Sequence, residues 1–159
     1  PLAKTVAVIN TDALGPEGVA RNFSTSGSAK SDLLDELVTD AKGFDLSYVT
    51  DQHPEAGHFF RSDHFPFAKR GVPALSFGSG EDLVQGGKKA GQKAEEDYTA
   101  NRYHKAGDQY DPNWDLRGIV QDLNALYQVG KVLSLDDAWP NYREGNAFRK
   151  IRDQSRAAH

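Results

Sequence analysis

The chain has no cysteine. Disulfide bridges and thiolate zinc sites are therefore excluded. It has no methionine either, and position 1 is proline. A start of PLAKTVAVIN reads as that of a chain processed, trimmed or cut from something longer, with any export signal lying upstream. No apolar run approaches the ~20 residues that span a bilayer. Positive charge is not in excess. The 19 Lys and Arg stand against 23 Asp and Glu, a net charge of −4, so the phosphate-neutralising surface of a nucleic-acid binder is not expected. What remains is 159 residues, 38% hydrophobic and 26% charged, enough for one modest soluble domain with a single core.

Apolar periodicity divides the chain into alternating elements. Thr5–Asn10 (TVAVIN) is β-branched, almost wholly apolar and too short for a helix, which predicts a strand buried on both faces. It runs into Asp12, and open α/β sheets place ligands just past such strand ends. The polar residues 21–30 read as a loop. In SDLLDELVTDAKG, Leu33, Leu34, Leu37, Val38 and Ala41 share one helical face, with Ser31 as N-cap and Gly43 as the stop. Residues 44–50 alternate as a half-buried strand. Residues 61–71 (RSDHFPFAKRG) predict a short helix capped by Ser62 or Asp63, with Pro66 in its first turn. Val72–Phe77 is a third strand.

Residues 81–114, rich in Gly, Lys and Glu, predict a long functional loop. Residues 115–133 form the clearest helix, with Leu116, Ile119, Val120, Leu123, Leu126, Tyr127 and Gly130 as its stripe. The tail, 139–159, is mixed, with Trp139, Tyr142 and Phe148 as aromatic anchors. This order predicts an α/β fold with helices on a thin mixed or parallel sheet. Three strands leave two exposed edges, which points to a missing part.

Several side-chain groups invite a chemical reading. Asp12 is a ligand or a turn residue. His104, within NRYHKAGDQYD, is a catalytic group, a metal ligand or a polar loop residue. His53, His58 and His64 fall within twelve residues, near Glu55 and Asp63, but match no compact zinc motif such as HExxH. Glu95-Glu96 in KKAGQKAEEDY resembles a solvated charge run more than a carboxylate pair. Ser79 lies in FGSG without the G-x-S-x-G spacing of a nucleophile elbow, which weighs against a hydrolase using Ser79, His104 and Asp108.

Taken in order, AVINTDALG, FRSDHFPFAKRGVPALSFGSG, YTANRYHKAGDQYDPNWDL and WPNYREGNAFRKIRD resemble the second half of the two-zinc aminopeptidases of metallopeptidase family twenty-eight, most of all its bacterial exported branch. The resemblance covers nearly the whole chain. It implies a three-layer α/β/α sandwich, a peptide substrate and a periplasmic or extracellular location. It also implies two zinc ions, with Asp12 and His104 as metal ligands on different ions, Tyr103 as a stabiliser of the oxyanion, and Arg61 as a contact to the substrate. Residues 1–159 would be the C-terminal portion of one catalytic domain.

In that family an H-x-D motif and a Glu-Glu pair precede the strand-end aspartate. Only eleven residues precede Asp12, and they contain neither motif. His53-Pro54-Glu55 and Glu95-Glu96 stand on the wrong side of Asp12 to replace them. The expectation is a chain that binds no zinc tightly and is inactive alone, its partner being the missing N-terminal half. A non-catalytic α/β binding module, and a glutamate carboxypeptidase or glutaminyl cyclase relative, are the alternative readings.

Overall fold

A computed structural model describes residues 2–27 and 30–157 of the chain. Four strands form one mixed sheet: β1 (Val8–Thr11), β2 (Asn22–Thr25), β3 (Ser47–Val49) and β4 (Ala74–Ser79). Their order is β1-β4-β2-β3. β1 runs parallel to β4 and β2 parallel to β3, whereas β2 and β4 are antiparallel. Five α-helices occur among the described residues: α1 (Asp32–Asp40), α2 (Phe65–Ala68), α3 (Gly87–Asn101), α4 (Arg117–Leu135) and α5 (Ala147–Ala157). The fold is α/β, as expected.

The period-2 alternation of β1 and β4 divides the core between two faces. Leu75 and Phe77, with Ile9, face a cluster built by Leu33 and Leu37 of α1 and Ala125, Leu126 and Val129 of α4. Ala74, with Val8, faces a smaller cluster of Phe59, Phe65, Ala68 and Phe148. Helical segments therefore cover both faces. β4 is the strand buried on both sides, while β1 is only half-buried along its length. The doubly buried strand expected at Thr5–Asn10 is thus an edge strand, because one of its backbone faces has no neighbour among the described residues.

α1 starts as its sequence dictates. The Ser31 hydroxyl accepts from the Leu34 amide at 3.2 Å, and Asp32 and Asp35 stand in the positively polarised first turn. It ends at Asp40, ahead of Gly43, and passes into a 3₁₀ turn closed by Asp45 in the left-handed region. α2 has no side-chain cap; His64, not Ser62 or Asp63, precedes it.

Three elements were not expected. β2 lies in the stretch read as a loop; it buries only Phe23 and Thr25, so its alternation is nearly silent in sequence. Ser28 and Ala29 of that stretch lie outside the described residues. α3 occupies much of the loop expected at 81–114. It buries only Gly91, against the backbone of Glu81, so it shows no apolar stripe and rests on the helix propensity of Ala, Lys, Gln and Glu. α5 organises the tail and buries Arg152, whose Nη2 donates to the carbonyls of Thr5 and Val6 at 3.0 and 3.1 Å. The aromatic anchors are in place: Tyr142 is fully buried, and its hydroxyl donates to Val72 O at 2.7 Å and accepts from Ala74 N at 3.2 Å.

The stripe expected on α4 is also corrected. Its buried residues are Gly118, Asp122, Ala125, Leu126 and Val129, whereas Leu116, Val120, Leu123 and Tyr127 are exposed. The helix has two apolar faces, and the sheet takes the one with smaller residues, where the backbones approach closely. Gly118 meets the loop between β1 and β2: a Cβ there would collide with the carbonyl oxygen of Gly18. Replacing Gly118 with Ala is therefore expected to cost about 1–3 kcal/mol, as overpacked cores do, measured by urea denaturation. An unchanged midpoint would show that the two segments are not in fixed contact.

Candidate functional site

β1 and β4 are parallel, so their carboxyl ends share one rim of the sheet. Asp12 follows β1 directly and is exposed at this rim. Asn10 and Ser76 are paired across the two strands. Asn10 Nδ2 donates to Asp12 Oδ1 at 2.9 Å, to Ser62 Oγ at 2.9 Å and to Ser76 Oγ at 3.4 Å. The Ser62 hydroxyl, then partial burial in the opposite sense, then Asn10 and His64 set the acidity of Asp12, with the net effect of holding it below its ordinary value of 3.8. Asp12 is thus an ionised carboxylate with a fixed orientation, the state a cation ligand needs.

Ser62 and His64 come from the RSDH segment ahead of α2. His64 has no exposure, its ring stands edge-on to Phe59 at 4.8 Å, and neither ring nitrogen has a hydrogen-bond partner. Burial, only partly offset by the Asp12 charge, holds its pKa below 6.5. His64 is the residue whose burial the sequence reading missed: its spacing from His53 and His58 matched no zinc motif, and it was not read as a core residue. Its signal was the apolar company of Phe59, Phe60, Phe65 and Phe67. Arg61 points elsewhere. Its Nη2 donates to Ala56 O at 3.1 Å and lies 3.2 Å from His58 Nδ1.

His104 follows α3 in a turn held by its own residues. The amides of Arg102 and Tyr103 both donate to Tyr98 O at 2.8 Å, and the Tyr98 hydroxyl donates to Asp108 at 3.3 Å. His104 has φ 56, a left-handed backbone unusual for a residue with a side chain. Its ring packs 4.1 Å from that of Tyr103, and both residues are exposed. Burial raises the pKa of Glu17, in the loop after β1, and the charges of Arg102 and Glu95 act on it more weakly, in opposite senses. The end of α3 and the loop carrying Asp12 are therefore electrostatic neighbours.

Among the described residues, no three His, Cys, Asp or Glu side chains converge to hold a metal ion. His53 pairs with exposed Glu55 at 3.2 Å and His58 with Arg61, so the histidine group does not assemble. Glu95 and Glu96 lie on the solvated surface of α3. Ser79 bonds to Asp122, not to His104. A small open cleft bounded by Glu17, Val84, Asp115 and Arg117 is lined by none of Asp12, Arg61, Tyr103 or His104. The donor types at Asp12 and His104 suit zinc, but a catalytic zinc needs about three protein ligands. The described residues do not build that centre by themselves.

A polar rim at the carboxyl ends of parallel strands is the ligand-site arrangement of open α/β proteins. The sequence places this chain more narrowly: the pattern of Peptidase family M28 matches residues 1–128, and the chain belongs to that family. The match takes in Asp12, the RSDH segment and His104. No curated protein and no solved structure matches the chain. No helix among the described residues is long and apolar enough to cross a membrane.

Replacing Ser62 with Ala is expected to raise the Asp12 pKa toward the ordinary carboxylate value, read from carboxyl-carbon chemical shifts. An unmoved titration would remove Ser62 as its principal partner. The sign for His64 is set by its lowered pKa. Its contribution is present above 6.5 and is lost as pH falls below that value, because the unfolded chain then binds the proton more readily. Replacing His64 with Phe should flatten this part of the stability profile in denaturation followed from pH 7.5 to 5.

Proposed function

We propose that this chain is part of a zinc-dependent aminopeptidase that removes residues from peptide N-termini. Peptidase chemistry follows from membership of the M28 family. The observation that carries the finer reading is Asp12, an ionised, oriented carboxylate at the rim where β1 and β4 end. Asp12 and His104 are the protein's ligands to two different ions, and the remaining ligands come from polypeptide outside these residues. When bound, zinc polarises the scissile carbonyl and lowers the pKa of a bound water to about 7.

This chain's residues then have separate tasks. Asn10 and Ser62 keep Asp12 ionised and aimed. The Tyr103 hydroxyl, exposed beside the His104 ring, donates a hydrogen bond where negative charge develops on the carbonyl oxygen. Such donors contribute about 2–4 kcal/mol to transition states elsewhere. Arg61 contacts the substrate's main-chain carbonyl or carboxylate, after release from Ala56 and His58. The location is periplasmic or extracellular.

The reading is tested on the complete enzyme and on the chain alone. Replacing His104 with Ala should reduce both zinc occupancy and turnover, whereas replacing Tyr103 with Phe should lower kcat by about 10²-fold or more with zinc retained. Full kcat in the Tyr103 variant would remove the oxyanion role. The isolated chain should take up no zinc tightly in calorimetry and release no N-terminal residue. Tight uptake with activity would overturn the division of ligands.

A further inference from the structure

The loop that begins at Asp12 is held from both faces of the sheet. Asn10 and Asp12 share the alternation of Val8 and meet Ser62 on the α2 side. Ser79 shares the alternation of Leu75 and Phe77, whose side chains lie on the α4 side. Its hydroxyl donates to Asp122 Oδ2 at 2.6 Å, and the same oxygen accepts from the Gly15 amide at 3.3 Å. Asp122 is only 2% exposed. A buried carboxylate on α4 is therefore linked, through one hydroxyl, to backbone three residues past Asp12. The family reading gives neither Asp122 nor Ser79 a task.

We propose that Asp122 is a positioning residue for the loop carrying Asp12, acting through the Ser79 hydroxyl on the Gly15 amide. An ionised Asp122 fixes the Ser79 hydrogen toward itself by a short, charge-assisted bond. That leaves Ser79 Oγ with its lone pairs directed away, one of them to Gly15 N–H. When Asp122 is protonated, its own O–H competes for those lone pairs and the Gly15 bond weakens. Neighbouring contacts make the loop respond as a unit. Asp115 N donates to Pro16 O at 3.0 Å, and Gln121 exchanges two bonds with the Ala20 backbone at 3.3 and 3.1 Å.

The chemistry places this change near neutral pH. Burial pushes Asp122 up to about 6, and the Ser79 hydroxyl opposes it; no charged group contributes. Two other carboxylates border this loop: Glu17, raised by its own burial, stands against Gly15, and Asp115 is held low by the Arg117 side chain. Loop order is therefore highest above about 6 and declines as pH falls through that value. The consequence for a metal site rests on Asp12 being a ligand, but the coupling itself does not.

The test is a pH titration of the 159-residue chain by NMR, without metal, from pH 4.5 to 8. The Gly15 amide should shift with the midpoint of the Asp122 carboxyl carbon, near 6. In Ser79→Ala, Asp122 should still titrate while Gly15 loses that step, and solvent exchange of the Gly15 amide at pH 7 should rise about tenfold, the equivalent of losing one hydrogen bond of ~1.4 kcal/mol. In Asp122→Asn the step should vanish from both. A Gly15 amide that stays silent while Asp122 titrates, or a Gly15 step at the Asp122 midpoint that persists in Ser79→Ala, overturns the proposal; a step from Glu17, which stands against Gly15, is identified by its loss in Glu17→Gln. Ser79→Ala carries the test if Asp122→Asn does not fold. Because no zinc is present, failure here is distinct from failure of the aminopeptidase reading.

Discussion

The structure depends on β4. It is the longest described strand and lies between two others, parallel to β1 and antiparallel to β2. Its alternate side chains also enter both cores, Leu75 and Phe77 on one side and Ala74 on the other. Two neighbours and two covered faces leave few ways to place it. Tyr142 fixes its start, with one hydroxyl satisfying the Val72 carbonyl and the Ala74 amide, so the tail of the chain is tied to the centre of the sheet. Each buried backbone group so satisfied avoids a desolvation cost of about 1–3 kcal/mol.

The antiparallel pairing of β4 with β2 has a directional result. The carboxyl ends of β1 and β4 point to one rim, and those of β2 and β3 to the other. Asp12 and Ser79 fall on the same rim for that reason. The rim then draws on both outer layers: Ser62 and His64 from the α2 side, Asp122 from α4. Polar side chains concentrate where two strands end together, as expected of a sheet whose chemistry sits outside its strand ends.

Much of this was legible in the sequence where burial was strong. α1 announced itself by Ser31 and the leucines at 33, 34 and 37, and α4 by its length and apolar content. β4 was visible as a short apolar run before Gly78. The elements that escaped bury little. β2 commits one phenylalanine and one threonine, and α3 commits a glycine. Periodicity reads burial, so a helix that hides only Gly91 leaves no pattern to detect. α4 misled in another way: its stronger apolar stripe is outside, because close approach to Gly18 favoured the face carrying Gly118. For the proposed site, Asp12 and His104 were named through motif resemblance alone. The network around them was not, because Ser62, Ser79 and Asp122 acquire meaning only when strands and helices bring them together.

His104 joins chemistry to backbone in one further respect. At φ 56 it occupies a conformation that glycine adopts freely and an L-residue adopts at a cost of roughly 1–2 kcal/mol. Glycine at this position would relax the turn and make the folded chain more stable, and it would delete the imidazole. Stability and chemistry thus pull in opposite directions at a single residue. A search for hardier variants, scored by melting temperature alone, would favour the substitution most damaging to the proposed peptidase site.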